Sequence, residues 1–207
     1  MKKLLLVGAL ALFGAVNAQT EKGSWVVGGS TTIGFNSTTS TVKYNGQSVD
    51  GPKSTTFSVT PSAGYFVANK IAVGIDVGFK STKNESTDYI FDQTYTFESK
   101  QNTLVIMPTA SYYFKSDSKV MPYLGAGIGY FSSTTKFPGS PFDSNEEIKV
   151  RTDGLAWGAK GGIVFLLTPS IGIDLGLAYV NTSNKENEVK NVTNSFGVNA
   201  GFSFFFK

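Results

Sequence analysis

Four charged side chains stand where charge is costly. On a two-residue period, Asp76, Lys80, Lys160 and Asp174 fall among glycines and small polar residues, opposite a face of large apolar ones. Two carboxylates and two ammoniums on one enclosed face predict a structural ion-pair network, since each needs a partner charge or water there. Two other groupings could carry chemistry. Asp143-Ser144-Asn145-Glu146-Glu147 offers oxygens to a calcium ion but lacks the glycine spacing of an EF-hand loop, so it reads as a solvated acidic segment. Gly125-Ala126-Gly127-Ile128-Gly129 has the glycine density of a phosphate cradle, yet no helical period follows it and an alternating strand accounts for it. The chain has no His and no Cys, which removes imidazole and thiolate metal sites, disulfides and every scheme that needs a histidine base. No catalytic, cofactor-binding or metal residue is predicted, and no enzyme.

The elements that position these residues are strands. Trp25, Val27, Ile33 and Phe35 alternate with small or polar residues, as do Phe57, Val59, Ala63, Tyr65 and Val67. A turn at Ala68-Asn69 leads into Ile71, Val73, Ile75, Val77 and Phe79, against Ala72, Gly74, Asp76, Gly78 and Lys80. The pattern recurs around Leu104 to Phe114, Leu124 to Tyr130, Leu155 to Phe165, Ile171 to Tyr179 and Phe196 to Phe206, which makes eight strands. A faint internal repeat, Gly64 to Asp76 and Gly162 to Asp174, marks two hairpins as near copies. Four polar segments, 36–53, 81–99, 132–150 and 181–192, are predicted to be long loops, and they alternate with short turns. In an up-and-down meander all four then emerge at one end. The sequons at Asn36, Asn84, Asn181 and Asn191 fall in or beside them and read only as surface exposure.

The N-terminus carries Met1-Lys2-Lys3, an apolar run from Leu4 to Ala15 and the small-residue site Val16-Asn17-Ala18, the pattern of a secretory signal peptide over residues 1–18. Its removal leaves 16 basic against 15 acidic residues in the domain 19–207, too balanced for a nucleic-acid partner. No later run of 18 apolar residues exists, so any membrane crossing must use strands. The chain is 41% hydrophobic and 14% aromatic, with 23 glycines, rich enough in apolar surface to fold.

Side-chain size decides which face looks inward. Fifteen glycines fall on the polar face and only Gly29 and Gly161 on the apolar one. An eight-stranded barrel has room inside for little more than side chains, so small residues belong on its axis and the large apolar ones outside. Water around such a surface would invite aggregation, whereas hydrocarbon would solvate it. The predicted fold class is therefore all-β, an eight-stranded antiparallel up-and-down transmembrane barrel. Trp25, Tyr65, Phe114 and Phe165 near the short turns, and Phe35, Phe57, Phe79, Tyr130 and Tyr179 near the long segments, read as two interfacial girdles. The alternatives are a soluble lipocalin-like ligand-binding barrel, with its apolar face inside, and a small-solute pore or porin-like channel, with an open lumen.

Met121-Pro122-Tyr123-Leu124-Gly125-Ala126-Gly127-Ile128-Gly129-Tyr130, the turn Leu167-Thr168-Pro169-Ser170-Ile171 and the alternating C-terminal aromatics resemble the OmpA-like and OmpX-like eight-stranded outer-membrane barrels, often described as porin-family proteins. The likeness covers nearly all of residues 19–207. It implies residence in the outer membrane of a Gram-negative envelope, contact with outer-membrane lipids, and an assembly signal in Phe202, Phe204 and Phe206 read by the insertion machinery. Lys207 follows these aromatics and departs from the commonest ending. Together these readings predict a monomeric barrel with a plugged lumen, no cofactor, and a structural or adhesion-like role in which the four polar segments meet an extracellular ligand.

Overall fold

The alternation of large apolar with small residues folds into one closed sheet. The computed structural model describes residues 20–32, 38–44, 47–90, 93–114, 119–140, 143–186 and 189–207. The signal-peptide segment, Ile33, Phe35 and Asn36 lie outside the described residues.

The strands are β1 (Trp25–Thr32), β2 (Thr38–Tyr44), β3 (Gln47–Ala68), β4 (Ile71–Ile90), β5 (Gln93–Tyr113), β6 (Val120–Ser140), β7 (Asp143–Thr168), β8 (Ile171–Glu186) and β9 (Val189–Phe206). From β3 to β9 each pairs antiparallel with the next. β1 closes the ring, with Trp25 opposite Phe206 on β9 and Tyr65 on β3. β2 pairs farther along β3, so β1 and β2 share one of eight positions around the barrel.

The outward face is the apolar one. Leu124, Ile128, Leu155, Leu175, Leu177 and Phe202 are exposed, Ile128 by 66%, while the alternate positions carry Gly125, Gly127, Gly129, Gly176 and Gly201. A soluble barrel with an apolar lumen would need the opposite parity, and that alternative falls here. Of the girdle residues, Trp25 and Tyr65 pack across strands with ring centroids 5.1 Å apart, and Phe114 packs edge-on at 4.9 Å against Tyr112, which is not among them. Toward the long-segment end Trp157 and Tyr179 stand 5.5 Å apart.

The four polar segments depart from expectation. In their described residues they are paired strand in place of loops: β2 and β3 pair to Tyr44 opposite Gln47, β4 and β5 to Ile90 opposite Gln93, β6 and β7 to Ser140 opposite Asp143, and β8 and β9 to Glu186 opposite Val189. At about 3.3 Å per residue and a tilt near 40°, the 20 residues of β4 climb roughly 50 Å, about twice the ~25 Å apolar band of such barrels. With water on both faces the hydrophobic alternation vanishes there, although Thr, Tyr, Phe and Ile keep the strand propensity.

At the opposite end the turns are tight. Lys70, after Asn69, adopts a left-handed φ of 70°. Its N–H donates to Thr20 at 2.6 Å, and its carbonyl accepts from Tyr113 N–H at 2.8 Å, which fastens the N-terminal segment beneath the barrel. A Cβ in that region costs about 1 kcal/mol, so Lys70→Gly is expected to raise stability by up to about 1 kcal/mol, read as a later urea midpoint in detergent.

Candidate functional site in the barrel lumen

The inward side chains form three layers. Nearest the short turns, Val26, Phe66, Ala72, Tyr113, Met121, Tyr123, Val164 and Phe205 make a buried apolar cluster, with Phe66 and Val164 wholly enclosed. Tyr113 is its hub, with ring centroids 5.4 Å from Phe66, 5.7 Å from Tyr123 and 6.0 Å from Phe205. Small residues on the axis therefore hold only for part of the lumen, because this end is filled by large ones. The sequence did mark the place. Tyr65-Phe66-Val67 and Phe204-Phe205-Phe206 are runs where alternation fails because both faces are large.

Above the cluster lies the polar layer. Tyr123 Oη donates to Asp174 Oδ1 at 2.8 Å, and Ser203 Oγ to Asp174 Oδ2 at 3.4 Å. Lys160 reaches across the lumen from β7 to β4 and donates to Asp76 Oδ2 at 2.6 Å. Asp76 is buried, and the Lys160 side chain is about a quarter exposed. The structure thus joins Asp76 with Lys160, satisfies Asp174 with hydroxyls in place of a lysine, and leaves Lys80 higher on the wall with no ion-pair partner among the described residues.

Glycines make this layer possible by close approach. A Cβ on Gly125 would stand 2.6 Å from Ser111 Oγ and 3.3 Å from Lys160 Cε, and one on Gly176 would stand 2.7 Å from Tyr123 Oη. Gly176→Ala is therefore expected to displace the Tyr123 hydroxyl from Asp174 and cost about 1–3 kcal/mol, measurable as a lower urea midpoint in detergent.

The third layer is a cavity of about 570 Å³, walled by inward residues such as Ser58, Thr60, Thr103, Ser133, Thr182 and Thr193, with Lys80 on its side and the Asp76–Lys160 pair at its base. A second polar cavity of about 70 Å³ lies between that pair and the Tyr113–Tyr123 cluster. No cluster of metal-ligating side chains occurs among the described residues. Of the acidic run at Asp143 only the Glu147 side chain is described, in ion pairs with Lys136 and Lys149. Phe202, Phe204 and Phe206 face outward on β9, opposite Gly29, Val27 and Trp25.

The closed antiparallel ring is the architecture the comparisons return. The family model described as outer membrane protein beta-barrel domain matches residues 4–204. The chain belongs to that family. It is an integral outer-membrane β-barrel of the OmpA- and OmpX-like kind. Among solved structures, the outer membrane protein OprG from Pseudomonas aeruginosa is 19% identical, with 92% of this chain and 99% of that one covered and a TM-score of 0.51. Neisserial surface protein A is 22% identical over 88% and 97% of the two chains, with a TM-score of 0.48. Ail, the attachment invasion locus protein of Yersinia pestis, is 17% identical over 88% and 99%, with a TM-score of 0.42. No curated protein sequence matches the chain.

Proposed function

We propose that this outer-membrane barrel is a monomeric, non-enzymatic surface-presenting protein with a plugged lumen, whose four extended hairpins bind an extracellular partner. The observation that carries the reading is the buried cluster around Tyr113, Tyr123, Phe66 and Phe205, which fills the lumen at the short-turn end. The 570 Å³ cavity is what would favour a small-solute pore, but it ends on the Asp76–Lys160 pair with that cluster below. Eight strands leave little interior width, and one layer of aromatic rings suffices to block it. The hairpins supply the other half of the argument. They stand beyond the bilayer as paired ladders, reinforced by bonds such as Asn181 Nδ2 to Asn194 Oδ1 at 2.6 Å and Tyr179 Oη to Asn194 Oδ1 at 2.8 Å. A preformed ribbon loses less conformational entropy on binding than a loop would. In this reading Phe202, Phe204 and Phe206 present the assembly signal to the insertion machinery, and residues 1–18 are cleaved on export.

Deleting 36–53 and 132–150 while keeping the transmembrane parts of the strands tests the proposal. Lost binding to host or neighbouring cells with an intact envelope supports it. Undiminished binding, or sustained currents through the unmodified protein in a planar bilayer, overturns it.

A further inference from the structure

Strand register gathers an unusual row of charges on the outer wall. Lys83 on β4 lies opposite Lys100 on β5, Lys100 opposite Lys136 on β6, and Lys136 opposite Lys149 on β7. All four share the outward parity, because Lys80, Gln101, Thr135 and Thr152 beside them line the lumen. Four lysines on four adjacent strands, spaced about 4.8 Å apart, form a line roughly 14 Å long. Like charges directly opposite one another destabilise a sheet, so this alignment needs counter-charge.

The chain supplies part of it. Lys83 binds Glu85 and Glu98, each at 2.8 Å, and Glu147 takes Lys136 at 3.1 Å and Lys149 at 3.4 Å. Glu85 and Glu98 hold the Lys83 ammonium above its ordinary range, and Lys136, with Lys149 behind it, holds Glu147 below its own. Both therefore stay charged at neutral pH. Lys100, in the middle of the row and exposed, has no ion-pair partner among the described residues. The three glutamates lie one outward step farther from the apolar band, which leaves the cationic side of the network facing the bilayer.

Height fixes what the row meets. Two rows nearer the membrane stand Phe79, Leu104, Ser132 and Asp153, and the row between carries Ser81, Asn102, Thr134 and Arg151, which meets Asp153 at 3.2 Å. The last exposed apolar residues are Phe79 and Leu104 on β4 and β5 and, one row lower, Tyr130 and Leu155 on β6 and β7. Four residues along a tilted strand place Lys83 and Lys100 about 10 Å above the last apolar residues, within reach of the headgroup layer once the stems bend back toward it, and six residues place Lys136 and Lys149 about 15 Å above theirs. We infer that the Lys83–Lys100–Lys136–Lys149 row binds the phosphate of a phosphorylated lipid in the outer leaflet, with Lys100 as its centre.

The test is lipid retention. The purified protein is placed in nanodiscs of phosphatidylcholine containing a minor fraction of diphosphorylated lipid A, and the lipid that stays with the barrel is counted by native mass spectrometry. The unmodified protein should retain the phosphorylated lipid well above its bulk share. Lys100→Gln should lower that enrichment about fivefold, and Lys100→Gln with Lys136→Gln further. Lys22→Gln, at the opposite end, should change nothing. Heat-modifiable migration verifies that each variant is a closed barrel. Equal retention by the unmodified protein and the double variant overturns the inference. So does displacement of the lipid by millimolar inorganic phosphate, which would mark a site for the soluble anion.

Discussion

Lys160→Met is expected to cost the barrel about 2–3 kcal/mol, below the 3–5 kcal/mol of a fully dry pair because the cavity above Lys160 admits water to one side. The cause is the residue left behind. Asp76 is 7% exposed, and its carboxylate receives its short bond from Lys160 Nζ at 2.6 Å. Without that ammonium the carboxylate must stay charged in a confined site or take up a proton. The reverse change, Asp76→Asn, should cost only about 1 kcal/mol, because Lys160 can swing its stem toward the cavity and be hydrated. The double variant Asp76→Asn/Lys160→Met should recover most of the loss, since it removes both charges and keeps the volume. Urea midpoints in detergent, followed by heat-modifiable migration, separate the three. If Lys160→Met matches the unmodified protein, the pair adds nothing and the polar layer is held by hydroxyls alone.

The same asymmetry separates what the sequence encodes from what the closed barrel adds. Parity alone put Asp76, Lys80, Lys160 and Asp174 on the inner wall, because a strand's period is two and one misplaced residue would send a charge into lipid. Which of them meet depends on barrel diameter and stagger across several strands, and no local pattern encodes that. Asp174 illustrates the gap. Its partners, Tyr123 and Ser203, lie 51 and 29 residues away on other strands, and nothing in the sequence near Asp174 names them. The apolar cluster is legible only in part, through Phe66 and Phe205, where the alternation fails. Tyr113 and Tyr123 fall on the inner face by parity, but that their rings meet Phe66 and Phe205 follows from the closure of the barrel, which no single strand encodes. The hairpins were misread because hydrophobic alternation reports burial on one face and goes silent where both faces are wet, though the backbone pairing continues. The lysine row escaped for the same reason as Asp174: it is a property of register, invisible along any single strand.

Tyr113→Ala is the substitution expected to matter most. The ring touches Phe66, Tyr123 and Phe205, and the residue is 8% exposed, so its truncation should cost about 3–5 kcal/mol, the range for a large aromatic removed from a packed core. Ring and hydroxyl can be told apart. Tyr113→Phe keeps the packing and should cost less than about 1.5 kcal/mol. The alanine variant carries a second consequence, because the cluster is also the floor of the lumen. Removing its hub joins the 70 Å³ cavity, which Tyr113 lines, to the short-turn end and leaves the Asp76–Lys160 pair as the chief barrier below the 570 Å³ cavity. Planar-bilayer recordings should therefore be silent for the unmodified protein and for Tyr113→Phe, and show small, flickering currents for Tyr113→Ala. Adding Lys160→Met to the alanine variant should change their ion selectivity toward cations, since Asp76 then stands unpaired at the constriction. A stable, silent alanine variant would mean that Phe66, Tyr123 and Phe205 close the floor without Tyr113, and the hub assigned to it would be wrong.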